Sequence, residues 1–237
     1  MTIFTDDQDY RYFLSLFSDA MQDFEIQVWN FCSMPNHTHA TVQPTAPNLS
    51  KAMKLLNGRF AQWWNWRHGH VGHVFQDRFK SQIVQADRHL LELCRYVPLN
   101  PVRAGLVSSP TDWPWSSYGS ILGTRPAPSF LNVDYSLRLF GDGDQATQRA
   151  CFSEFVLGDP DQELQDRFRG REPIVGDRAF KKAIGGPDRH ATPIEPPYDA
   201  ALAQEFRTIR TDLAPAVARV PDAPPGTAPS AASSGPA

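Results

Sequence analysis

Met34-Pro35-Asn36-His37-Thr38-His39-Ala40-Thr41-Val42 reads as a turn that opens into a strand, and the fold is built outward from it. Side chains alternate along a strand, so His37 and His39 share one face with Thr41 and Gln43, while Ala40 and Val42 face a core. Upstream, Phe24-Glu25-Ile26-Gln27-Val28 alternates in the same way, and this strand is expected to run on through Phe31. Ser33 to Asn36 then turns the chain, which makes a β-hairpin whose second strand presents both histidines. Two imidazoles on one face of a rigid strand are half of a metal site. The spacing alone is weak evidence, because His-x-His pairs also arise incidentally.

Before the hairpin, Thr5-Asp6-Asp7-Gln8 carries a capping-box pattern, and Tyr10, Phe13, Leu14, Phe17 and Met21 follow at helical spacing. Residues 6–22 therefore read as an amphipathic helix packed by one face. After the hairpin a second helix runs from about Leu49 to Arg67, with Met53, Leu56, Phe60 and Trp64 as its buried stripe. Its end, Trp63-Trp64-Asn65-Trp66-Arg67, is dense in aromatic rings. Glycines then break the helix, and Val74 to Val84 reads as a strand pair or an irregular strand. His68, His70 and His73 fall in this Gly-rich stretch, which suits a loop near phosphate better than a second metal cluster. A third helix starts near Asp87 with Leu90, Cys94 and Val97 as its stripe. Tyr96 and Asn100 share another face if that helix continues, although Pro98 loosens its last turn and Pro101 ends it. Tyr118 is expected to pack in an aromatic, irregular segment. Helices are expected again over Arg149–Val156, Gln162–Arg169 and Arg178–Ile184. Residues 186–237, rich in Pro, Ala, Gly and Ser, are expected to be disordered apart from a helix at Ala200–Asp212.

The net charge of −3 conceals a basic middle: residues 1–50 carry −5, residues 51–107 carry +6 and the remainder −4. Such a segment inside an acidic chain is an electrostatic footprint for a polyanion. Bases stack on aromatic faces and phosphates pair with Arg and Lys, so single-stranded or looped nucleic acid fits this mixture. No apolar run is long enough for a membrane span, and the start lacks a signal-peptide pattern. Three scattered cysteines, Cys32, Cys94 and Cys151, argue against a disulfide framework and for a reducing cytoplasm.

Three ordered stretches together are more specific than any one of them. They are Met34-Pro35-Asn36-His37-Thr38-His39, Gly72-His73-Val74-Phe75-Gln76-Asp77-Arg78-Phe79-Lys80-Ser81, and Arg95-Tyr96-Val97-Pro98-Leu99-Asn100-Pro101-Val102-Arg103-Ala104-Gly105-Leu106-Val107. With the later Trp113 to Tyr118 element, they resemble the HUH single-tyrosine transposases, specifically the REP-associated tyrosine transposases of bacteria. The resemblance covers roughly residues 3–123, with a weaker echo to about 184.

That resemblance implies an α+β fold, a ferredoxin-like antiparallel sheet backed by helices. The expected division is a catalytic domain over 1–123, a helical extension over 124–185 and the tail over 186–237. It also implies that His37, His39 and Asn100 bind Mg²⁺ or Mn²⁺ and that Tyr96 is the nucleophile. The activity would be cleavage and joining of hairpin-containing single-stranded DNA through a 5′-phosphotyrosine. The expected DNA contacts are Arg59, Trp63, Trp66 and Arg67 on the second helix, Arg78 and Lys80 after it, and Arg95 and Arg103 beside the tyrosine. Family members begin with a strand ahead of the first helix, central in the sheet. Here Ile3-Phe4-Thr5-Asp6-Asp7 leads almost directly into the helix, so the sheet is expected to lack that strand. A catalytically inactive or domesticated hairpin-binding protein is the alternative, and a metal-dependent hydrolase is a third reading. A monomer and a homodimer are both compatible with this organisation.

Overall fold

The computed structural model describes residues 2–86, 88–170 and 172–184, together with the backbone of 206–211. Helix α1 (Asp7–Asp23) leads through a left-handed Glu25 (φ 52°) into the hairpin β1 (Ile26–Met34) and β2 (His37–Pro44). Then come α2 (Leu49–His68), β3 (Lys80–Val84), α3 (Arg88–Tyr96) and the single turn α4 (Asn100–Arg103). Short helices α5 (Tyr118–Leu122) and α6 (Val133–Arg138) precede α7 (Gln145–Leu157) and α8 (Gln162–Arg169). The two-residue strand β4 (Ile174–Val175), α9 (Arg178–Ile184) and β5 (Phe206–Thr211) complete the described elements. The architecture is mixed α+β.

The strands form one five-stranded sheet in the order β1-β2-β5-β3-β4. β5 runs antiparallel to both of its neighbours, and β3 pairs with β4 in parallel. Among the described residues no strand precedes α1, as expected, and the slot between β2 and β3 is filled instead by Phe206–Thr211 from late in the chain. The helix expected across Ala200–Asp212 is replaced, over the residues described, by this strand. Phe-Arg-Thr-Ile-Arg-Thr is rich in β-branched residues, which suit a pleated ladder better than a helix. The rest of the expected disordered tail lies outside the described residues.

Each face of the sheet has its own core. On one side Val28, Phe31, Ala40 and Val42 meet Phe13, Phe17 and Met21 of α1 and Met53, Leu56 and Phe60 of α2. Phe13 and Phe60 cross edge to face at 5.3 Å. On the other side Cys32, Met34 and Val84 meet Leu93, Tyr96 and Val97 at the tyrosine helix and Leu164 and Phe168 of α8. A bulge between Val28 and Asn30 re-aims the alternation of β1, so that Trp29 leaves the ladder and packs on Tyr135 at 4.1 Å. Val156 and Phe152 of α7 join the first core.

The start of the chain is tied down by polar contacts. The amides of Ile3 and Phe4 donate to the Pro35 carbonyl at 2.9 and 3.2 Å, and the Trp64 indole donates to the Ile3 carbonyl at 2.7 Å. Asp6, not Thr5, caps α1, accepting from the amides of Gln8 and Asp9. Thr5 instead donates its amide (2.8 Å) and hydroxyl (2.6 Å) to the buried Asp9 carboxylate. Arg67 pairs with both Asp6 and Asp9, and His68 lies 2.9 Å from Asp9, so the N-terminus of α1 is clamped to the end of α2.

Removing the buried Asp9 carboxylate leaves Arg67 with Asp6 alone and strands the Thr5 donors, and Asp9→Ala is expected to cost about 2 kcal/mol in urea unfolding. The Arg67 hydrogen bond lowers the pKa of Asp6 to about 2. Burial opposes ionisation of Asp9, yet the bonds from Thr5, His68 and Arg67 outweigh it, and its pKa is lowered too. Both carboxyls are depressed by folding. Their stabilisation is thus complete above the unfolded value of about 4 and drains away as the pH falls through the folded values. Acid titration of an Asp6→Asn, Asp9→Asn double variant should show a flatter loss of stability below about pH 4 than the parent chain shows.

Candidate active site

Strand alternation brings the histidine side chains together. His37 Nε2 and His39 Nε2 lie 2.9 Å apart, and His37 Nδ1 is 2.7 Å from Asn36 Oδ1. The second contact orients the His37 ring so that its Nε2 faces its neighbour. Two ligands at right angles around an octahedral ion, each about 2.1 Å from it, would stand about 3.0 Å apart. The pair is thus spaced to share one small divalent cation. Among the described residues no third His, Cys, Asp or Glu groups with it.

Tyr96 is the last residue of α3, and its ring meets His39 edge-on with centroids 5.7 Å apart. It is 5% exposed, which puts the phenol beside the histidines but under cover. Phe168 of α8 lies 5.5 Å from the ring, and the Arg103 guanidinium sits over it at 5.2 Å. Burial lowers the pKa of Arg103, but an arginine keeps its charge throughout the working range.

The tyrosine helix does not continue to Asn100. Pro98 has no amide proton to donate to the helix, α3 stops at Tyr96, and α4 starts anew at Asn100. The Asn100 side chain turns back, donating Nδ2 to the carbonyls of Tyr96 (2.9 Å) and Val97 (3.1 Å). Arg103 also donates to the Tyr96 carbonyl, at 3.1 Å. These bonds satisfy the carbonyls that the broken helix leaves open. Asn100 therefore reaches Tyr96 through its backbone and not as a face-sharing neighbour.

Residues 1–100 match the family model described as Transposase IS200 like, a span that includes His37, His39, Tyr96 and Asn100. This stretch is similar to the IS200-like transposases. A Haemophilus influenzae protein that bears the name of a REP-associated tyrosine transposase is 22% identical over 141 residues. The alignment covers 55% of this chain and 80% of that relative. No solved structure matches the chain. Within the family stretch, the two histidines and the tyrosine are drawn from a hairpin and a helix 57 residues apart, from His39 to Tyr96, and meet on one face of the sheet.

The eight side chains expected to meet DNA fall into two groups. Arg59, Arg78 and Lys80 are exposed, and Trp66 shows 80% of its surface. The other four are engaged inside the fold. Trp63 stacks on Tyr12 at 4.1 Å, and Arg67 holds Asp6 and Asp9. Arg103 lies over the tyrosine. Arg95 is buried: it pairs with Glu92 at 2.6 Å, donates to the Phe155 carbonyl and lies over the Phe155 ring at 3.9 Å. Burial raises the pKa of Glu92, and Gln165 donates to the same carboxyl. Of the loop histidines, His68 joins the Asp9 clamp and His70 lies 2.8 Å from Asn65 Oδ1. Tyr118 is packed as expected, 1% exposed. No described helix is long and apolar enough to cross a membrane.

Sequence reasoning missed the cover on the tyrosine. Phe168 lies 72 residues beyond Tyr96, and its place in a helical stripe looks the same as any core residue's. Arg103 carried a visible signal, its place in the motif, but its position over the Tyr96 ring depends on the helix break at Pro98.

Arg95→Met should cost about 3 kcal/mol in urea unfolding, since it strands the buried Glu92 carboxyl and the Phe155 carbonyl. Arg59→Ala and Arg78→Ala, changed in the same way, should stay within about 0.5 kcal/mol of the parent.

Proposed function

We propose that the protein cleaves and rejoins single-stranded DNA bearing hairpins, with Tyr96 as the nucleophile. The observation that carries this reading is the convergence of His37 and His39 nitrogens at 2.9 Å beside the Tyr96 ring. The match of residues 1–100 to the IS200-like family model supports it independently. The sheet would then be the family's ferredoxin-like one, with β5 standing where the first strand of other members runs.

The Tyr96 oxygen attacks the scissile phosphorus, and the bond from phosphorus to the 3′-oxygen breaks. The phenol proton ends, by way of solvent, on the departing 3′-oxygen, leaving a 5′-phosphotyrosine and a free 3′-hydroxyl. A second 3′-hydroxyl reverses the step on another end. His37 and His39 would hold Mg²⁺ or Mn²⁺, with Asn100 as a further candidate ligand, and the ion would supply charge stabilisation at the phosphate. Asn36 keeps the His37 ring turned to present Nε2. Exposed Arg59, Trp66, Arg78 and Lys80 offer charge and a stacking face to the strand. The basic segment around them makes binding fall steeply with salt.

A second reading, a hairpin-binding protein without catalysis, is favoured by the burial of Tyr96 beneath Phe168 and Arg103. Denaturing gels separate the two. With Mn²⁺ and DNA hairpins labelled at the 3′ end, the unmutated protein should carry label, because the 3′ fragment stays on the tyrosine. Tyr96→Phe and His37→Ala should carry none while remaining folded. Salt-sensitive binding that persists in EDTA without any adduct would establish the second reading.

The Asn36 contact makes a further expectation. Asn36→Ala should weaken Mn²⁺ binding, followed by the paramagnetic resonance of the free ion, by about 10-fold. His39→Ala should weaken it further.

A further inference from the structure

The strand that fills the slot between β2 and β3 also brings position 210 into register with His39. β5 pairs with β2 so that position 210 lies opposite His39, and with β3 so that the same position lies opposite Lys80. Register partners in adjacent antiparallel strands have Cα atoms about 5 Å apart and share a face of the sheet. His39, position 210 and Lys80 thus make one row across three strands. Position 208 falls in the next row on this face, opposite Thr41 and Gln82. Position 207 pairs with Val42 and Ile83 and position 209 with Ala40 and Ser81, which places them on the other face.

We propose that Arg210 is a phosphate-binding residue of the nicking site, delivered to it by the C-terminal strand. This rests on the nicking reading above and extends it to a residue 171 positions beyond His39. The chemistry suits the place. A phosphodiester under attack gains negative charge on its non-bridging oxygens, and a guanidinium offers two parallel N–H donors to such a group. The histidines can hold a cation on one side of the phosphate, which leaves its remaining oxygens to a second positive group. An arginine keeps its charge at any working pH, so this contact makes no demand on protonation state. Lys80, next in the row and exposed, continues the positive track toward the adjoining phosphate.

The Phe-Arg-Thr-Ile-Arg-Thr sequence supplies its own control, because Arg207 and Arg210 are three residues apart and so lie on opposite faces. The test has two parts, both on the full chain. Strand docking is read first, in a Cys151→Ser background. Thr38→Cys with Thr211→Cys places cysteines at partner positions and should form an intrachain disulfide under mild oxidation. Thr38→Cys with Arg210→Cys puts them on opposite faces and should not. Absence of the first disulfide, or equal formation of both, overturns the docking in this register.

Function is read second, with a pool of 3′-labelled single-stranded hairpins with randomised flanks, and Mn²⁺. Arg210→Ala should slow adduct formation by about 100-fold, comparable to losing one donor of a preorganised anion site. Arg210→Lys should recover part of that loss, and Arg207→Ala, matched for thermal stability, should stay within a few-fold of the parent. Hairpin binding by Arg210→Ala should have a salt slope about one unit shallower than the parent's. An adduct rate and a salt slope unchanged in Arg210→Ala overturn the role of Arg210 and leave the nicking reading standing. If the unmutated protein forms no adduct, the nicking reading falls; the salt slope then decides by itself whether Arg210 binds phosphate.

Discussion

The structure depends on the ladder of main-chain hydrogen bonds along both edges of β2. β1 holds one edge and β5 the other, over the residues that include His39. A strand paired on both sides cannot slide by one residue without turning its whole side-chain pattern over. That would send Ala40 and Val42 out of the core and the histidines into it. The apolar face against α1 and α2 therefore sets the register, and the register sets where the two imidazoles point. The 2.9 Å gap between their nitrogens follows from packing on the far side of the sheet.

Two devices outside the sheet keep this arrangement in place. The Asp9 clamp joins α1 to α2, and the amides of Ile3 and Phe4 hold the Pro35 carbonyl in the turn that precedes His37. The lead-in to α1 thereby braces the hairpin at the end where the site lies. On the opposite face, Tyr96 is held by the carbonyl bonds of Asn100 and Arg103 and covered by Phe168. Pro98 shapes this second device: breaking the helix frees the carbonyls that Asn100 and Arg103 take up.

Much of this could be read from local pattern. The α1 stripe, the hairpin, α2 and the later helices follow from periodicity, and they agree with the structure to within a few residues at their ends. The basic and aromatic character of residues 51–107 was equally plain, but not its use. Arg95 and Arg59 are the same residue type in the same segment, yet one is buried against Glu92 and the other is exposed. Composition carries no sign of that difference, because burial depends on α7 and α8 arriving from far along the chain. The cap of α1 was placed one residue early for a simpler reason: Thr5 and Asp6 are both good caps, and the pull of Asp9 on Thr5 is a tertiary matter.

The sequence by itself determined the partners available for chemistry: two histidines in strand phase and a tyrosine on a helix, within the stretch that is similar to the IS200-like transposases. Strand period and helix period are properties of neighbouring residues, so a linear pattern is enough to reveal them. Only the tertiary structure decided that Tyr96 lies under cover beside His39, and that the place between β2 and β3 goes to Phe206–Thr211. A strand's neighbour in a sheet is chosen by hydrogen bonding and burial between segments distant in sequence, and six residues do not by themselves name the slot they fill.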